Sequence, residues 1–272
     1  MERKRLKPVA HPLRSSFWKT AVAVRTPEPR QCQPGDGSRG EPSILFEAES
    51  PVEETEAILF ALARAVEQRD QFTFGHCERL ALISVALGVA MGLDRRDLIT
   101  LYRGGYLHDI GKVGIPDSIL FKRGKLTTEE WVVMRTHSAR GEEICRHMKS
   151  LEPVLPIIRH HHEHWDGTGY PDGLQGEQIP QLARIVQIAD VYDALTSRRS
   201  YKEAFGEAQA LEILQDEARQ GWRDPRLTAL FVELHDDVTS RIARFSQSSG
   251  DSSLERNRSS LLSLNQFLAW QA

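Results

Sequence analysis

The sequence predicts an all-α domain between two polar tails. Helix-start signals recur along the middle of the chain, strand-type alternation is absent there, and both ends lack a sustained apolar period. Residues 1–49 are rich in Pro, Arg, Gly and Ser, as in "RTPEPRQCQPGDGSRGEPS", and are expected to be disordered. Residues 246–272 open with "SQSSGDSSLERNRSSLLS" and read as a serine-rich tail, whose "LLSLNQFLAW" has the spacing of a short amphipathic helix that could dock. The domain is assigned to residues 50–245, large enough to bury a real interior.

Each helix is justified by its own signals. Ser50, Pro51 and Glu53 read as N-cap, first helical residue and N3, ahead of apolar Ile58, Leu59, Leu62 and Val66. A second helix covers roughly Gly75 to Met91, and Asp94 caps a third that runs to about Leu107. Thr127 and Glu130 form a capping box before "EWVVMRTHSARGEEICRHM". Pro153 is expected to begin the helix that reaches the histidine run. Pro180 precedes the helix holding "ARIVQIADVYDAL", and Asp224-Pro225 opens a last one. No internal repeat is visible.

Composition excludes several classes. The formal charge of −3 gives no bulk attraction to a nucleic-acid polymer or to anionic lipid. The longest uncharged run, residues 80–93, is too short to span a bilayer comfortably, so no membrane partner is expected. The basic start lacks a clear cleavage site, which argues against a signal peptide. Three irregularly spaced cysteines (Cys32, Cys77, Cys145) make no disulfide framework, so the cytoplasm is the default compartment.

The chemistry concentrates in the histidines. "LHDIGK" sets His108 beside Asp109 near a helix end, with Lys112 a turn further. Adjacent helical side chains diverge by about 100°, so the carboxylate can bridge two metals while the imidazole binds one. Gly111 and Gly114 are expected to permit tight turns beside that site. "HHHEHWDGTGYPDG" offers neighbouring nitrogens at His161 and His162, His137 lies mid-helix in "MRTHSARG", and His76 opens an apolar helix. Asp190 sits in the otherwise apolar "QIADVYDAL", where an unpaired carboxylate would be costly. Singly, each is more often a satisfied structural residue. Together, five imidazoles and two carboxylates on successive helices are what a two-metal hydrolytic centre needs. Gly167 and Gly169 are expected to let the backbone approach a ligand, with Pro171 stiffening the turn that presents Tyr170.

"HDIGKVGIPDSIL", "HHHEHWDGTGYPDGLQGEQIP" and "ARIVQIADVYDALTSRRSYKEA" resemble, in order, the HD-GYP family of cyclic di-GMP phosphodiesterases, a branch of the HD hydrolase superfamily. The resemblance covers about residues 52–235. It implies an HD-type helical domain, a centre of two or three metals (usually iron, sometimes manganese) and hydrolysis of cyclic di-GMP to linear pGpG or GMP. Carried across, the metal ligands are His76, His108, Asp109, His137, His161, His162 and Asp190, with Asp109 and Lys112 catalytic. Lys112 is expected at the scissile phosphate or the leaving oxygen. Gly169 and Tyr170 are expected to face the nucleotide, and Arg199 and Lys202 to contact phosphate. His160 is read as a bystander and Asp193 as a group that orients a ligand imidazole.

Three positions depart from the family's pattern. Phe72 stands where three-metal members carry a glutamate beside Asp70, so two divalent metal ions are expected, iron first and manganese second. Ser200 replaces a usual proline, which leaves the Arg199 loop less rigid. "WRDP" replaces a more usual Phe-Asp-Pro at a helix start. The partner expected is cyclic di-GMP, and protein partners such as diguanylate cyclases or regulators, or a homodimer, are compatible with the sequence. Two alternatives stay open: a module that binds cyclic dinucleotides without cleaving them, and a phosphodiesterase that prefers mixed cyclic GMP-AMP.

Overall fold

The computed structural model describes residues 51–69, 75–197, 204–248 and 260–270. Among them the elements are α1 (Pro51–Arg69), α2 (His76–Ala90), α3 (Arg95–Leu107), a 3₁₀ turn (Ile110–Gly114), α4 (Asp117–Leu120) and α5 (Thr128–Cys145). A second 3₁₀ segment (Lys149–Val154) leads into α6 (Leu155–His160), and a third (Gly176–Gln178) precedes α7 (Gln181–Thr196). The series ends with α8 (Glu207–Arg219), α9 (Pro225–Ser248) and α10 (Ser260–Trp270). No strand forms among these residues beyond an isolated antiparallel bridge between Asp166 and Gln175, and no helix is long and apolar enough to cross a membrane.

Helix α2 sits at the centre. Residues 80–90 are all buried, as expected of a helix apolar on every side. Helix α3 can lie close along it because Gly105 has no Cβ; one built there would stand 2.6 Å from the Ala81 Cα. Gly104 does the same toward α6, where Ile157 fills the space. These small residues bring the ends of α2, α3 and α6 together, and those ends carry His76, His108 and His161.

The cap readings at Asp94 and Thr127 agree with the structure, and Ser50 lies outside the described residues. Asp94 accepts a hydrogen bond from the Asp97 amide at 2.9 Å, and Thr127 with Glu130 makes the reciprocal capping box of α5. Pro153 does not start α6. It lies inside the preceding 3₁₀ segment, and the α-helix begins at Leu155. The tail reading for residues 246–272 is corrected where α9 continues to Ser248, while α10 docks on the domain as the spacing of "LLSLNQFLAW" allowed. Leu264 and Phe267, three apart on one face, are fully buried, and the Phe267 ring meets Phe245 edge-on at 5.2 Å. Arg95 donates to the Asn265 side chain at 2.7 Å. Residues 1–49, Asp70 and Phe72 lie outside the described residues.

Candidate metal centre

The seven candidate ligands come together in two groups. Asp109, His137, His161 and His162 form one, and His76, His108 and Asp190 the other, each offering ligand atoms within 4.8 Å of one another. Asp109 touches both sets. Its Oδ1 lies 3.3 Å from His137 Nε2 and 3.8 Å from His161 Nε2, and its Oδ2 lies 3.2 Å from His108 Nε2. Lys112 Nζ stands 2.7 Å from the same Oδ2. In the second group His76 Nε2 is 3.4 Å from Asp190.

The imidazoles are oriented from behind. His108, His137 and His161 each direct Nδ1 at the backbone carbonyl three residues earlier, of Gly105, Met134 and Ile158, at 2.8–2.9 Å. A carbonyl can only accept, so Nδ1 carries the proton and Nε2 of the neutral ring points inward with its lone pair. His76 is held the same way by a carboxylate, with Nδ1 donating to Asp193 at 2.7 Å. Arg79 fixes Asp193 in turn at 2.7 Å and 3.0 Å. Asp193 is buried, and although burial raises its carboxyl, the bonds from His76 and Arg79 take it down to about 2.

This arrangement suits cations. His137 and His161 present Nε2 to each other at 3.4 Å although both have committed Nδ1 to a carbonyl. Two lone pairs so close repel unless a positive charge lies between them. Burial, reinforced by neighbouring imidazoles, pushes His161 below its ordinary value and His162 well below, so both offer lone pairs at neutral pH. His108 Nε2 and Asp109 Oδ1 are buried with no hydrogen-bond partner, an expense that a metal ion removes. Burial alone would depress His108, but the Asp109 carboxylate outweighs it and raises the ring to about 9. Burial would raise Asp109, yet Lys112 and His108 hold it well below the ordinary carboxylate range. Without metal, a proton on His108 supplies part of the positive charge that the two carboxylates demand.

The loop after the histidines is organised by a residue that the sequence reading passed over. Glu163 is fully buried and makes no ion pair among the described residues. Its carboxylate accepts from the amides of Asp172, Gly173 and Leu174 at 2.7–3.2 Å and so ties the far side of the loop to α6. Gln187 on α7 donates to the His161 carbonyl at 3.2 Å and to that of Glu163. A carboxylate within the histidine run, followed by a glycine-rich turn full of free amides, was the available signal. His160 stands outside the cluster, as expected, with Nε2 on Asp172 at 2.9 Å beside the Arg159 pair to the same carboxylate.

Two glycines are also required by close packing. Gly111 is not at a left-handed position; a Cβ there would fall 1.8 Å from the His137 carbonyl oxygen and 2.5 Å from the Gly141 amide. Its role is the close approach of the 3₁₀ turn to α5, which sets Asp109 beside His137. Gly169 is packed within its own loop, because a Cβ there would lie 2.1 Å from the His164 amide nitrogen. The left-handed turn is made by Gly167, at φ 84°. Tyr170 does reach the centre, its ring stacked on His162 at 4.8 Å and 27°. Trp222 stacks on His164 at 5.5 Å, and Arg223 is buried on Glu217 at 2.8 Å, so "WRDP" does more than start a helix. Arg199 and Lys202 lie outside the described residues.

Similarity to known proteins covers the same part of the chain. The profile of the HD domain family matches residues 61–227, a span that contains all seven candidate ligands. The 3'3'-cGAMP-specific phosphodiesterase 2 of Vibrio cholerae is 40% identical over 187 residues, which is 68% of this chain and 36% of that protein. The cyclic di-GMP phosphodiesterase response regulator RpfG of Xanthomonas campestris is 43% identical over 173 residues, 62% of this chain and 46% of the relative. The chain therefore spans less than half the length of either. The solved cyclic GMP-AMP specific phosphodiesterase V-cGAP3 of V. cholerae shares the fold at a TM-score of 0.53 and 22% identity, over 80% of this chain and 60% of that one. The chain belongs to the HD domain family.

Proposed function

We propose that the chain is a metal-dependent phosphodiesterase that opens cyclic di-GMP to linear pGpG, GMP or both, and so lowers a bacterial second messenger. What carries this reading is the position of Asp109, one oxygen toward His137 and His161 and the other toward His108. In it, Asp109, His137, His161 and His162 would hold one divalent cation, and His76, His108 and Asp190 would hold the second, with Asp109 beside both groups. Iron is the first choice and manganese the second, since imidazole with carboxylate suits both. When bound, such a pair lowers the pKa of water and offsets phosphate charge.

The chain's own groups do the remaining work. Lys112 keeps Asp109 ionised and stands ready for a phosphate oxygen. Asp193 and the backbone carbonyls hold the imidazoles in the tautomer that leaves Nε2 free. Tyr170, carried by the tightly packed Gly169 turn, lines the approach, while Arg199 and Lys202 take phosphate by fork and by point charge. The free buried thiols of Cys77 and Cys145 are in keeping with a reducing, cytoplasmic setting. A diguanylate cyclase, a regulator or a second copy of the chain remains the kind of protein partner proposed.

The mixed cyclic GMP-AMP molecule is the second reading, favoured by the name of the V. cholerae relative. Protein of measured metal content is incubated with cyclic di-GMP and with the mixed molecule, and products are separated by chromatography. Loss of cyclic di-GMP with appearance of pGpG or GMP is expected, faster than loss of the mixed molecule. Stoichiometric binding with neither ligand cleaved would leave a sensor instead.

A further inference from the structure

Helix α5 carries His137 and, two residues earlier, Arg135. The Arg135 guanidinium stands 5.3 Å over the Tyr170 ring, which itself stacks on His162 at 4.8 Å. His162, Tyr170 and Arg135 thus lead outward from the metal centre to an exposed side chain. The guanidinium makes no hydrogen bond or ion pair among the described residues. Other arginines of the domain are committed: Arg79 to Asp193, Arg159 to Asp172 and Glu142, and Arg140 to the Gly114 carbonyl. Trp131, one turn earlier on the same side of α5, is 46% exposed and offers an aromatic surface along this edge.

A base that approaches Tyr170 therefore meets a free donor fork first. Guanine presents two acceptors, N7 and O6, on one edge, whereas adenine replaces O6 with an amino donor. Arginine only donates, so its fork matches guanine and opposes adenine. A cation–π contact at an exposed site is weak enough to be exchanged for such a pair.

We propose that Arg135 reads the guanine of the bound dinucleotide and sets the preference for guanine over adenine at this site. The proposal rests on the cyclic dinucleotide reading above. The test compares the unaltered protein with Arg135→Met and Arg135→Gln on cyclic di-GMP and cyclic di-AMP. Each ligand is followed by kcat/KM where it is cleaved and by its inhibition constant where it is not. Arg135→Met is expected to weaken cyclic di-GMP by roughly 10–100-fold and to change cyclic di-AMP by less than about 3-fold. Arg135→Gln moves the ratio further toward adenine, because an amide can pair with N6 and N7 of that base. Metal content and melting temperature stay unaltered, as expected for an exposed side chain. An equal loss on both ligands, or none on either, overturns the assignment while leaving the phosphodiesterase reading intact. An unaltered protein that neither cleaves nor binds a cyclic dinucleotide overturns both.

Discussion

Replacing His108 and Asp109 together by alanine is expected to abolish turnover, by about 10⁴-fold or more. The pair serves both groups of ligands. His108 belongs to the set with His76 and Asp190, and Asp109 reaches His137 and His161 with the oxygen that its other contacts leave free. Its loss also removes a close ion-pair partner of Lys112. His108 is fully buried, so the variant will lose some stability as well, and the measurement pairs product formation with a thermal melt. A folded double variant that hydrolyses at the unaltered rate would remove the basis of the assignment.

The second large effect comes from a residue with no chemistry of its own. Gly111→Ala puts a methyl carbon 1.8 Å from the His137 carbonyl oxygen, and the atoms it meets are backbone, so no rotamer change relieves the clash. The 3₁₀ turn must move off α5, which separates Asp109 from His137. A destabilisation of about 3 kcal/mol or more follows from such overpacking. Activity should fall by about 10²-fold or more through the displaced groups. Gly114→Ala is the control. Its added carbon meets only the Arg140 side chain, at 2.9 Å and beyond, which can swing away. Denaturant melts of the two variants decide the matter: Gly111→Ala melting with the unaltered protein would contradict the close approach.

Much of the site was legible because metal ligands need particular atoms. Five imidazoles and two carboxylates could be picked out by residue type, and the caps at Asp94 and Thr127 could be read because each involves neighbours along the chain. What stayed hidden depends on contacts between distant segments. The need for glycine at 111 is set by a carbonyl of α5, which a reading of the local turn alone could not show. Glu163 acts through amides nine to eleven residues further on, and Arg135 through a tyrosine from another segment. Helix α10 illustrates the converse case, since the apolar spacing of "LLSLNQFLAW" allowed a docked helix behind its serine-rich lead-in, and Leu264 and Phe267 are buried there.

Metal analysis of protein loaded without oxygen tests the centre most directly. The two groups joined by Asp109 predict two ions per chain, lost when His108 and Asp109 are replaced. Protein that stays metal-free after loading, or that holds three ions, would contradict the account.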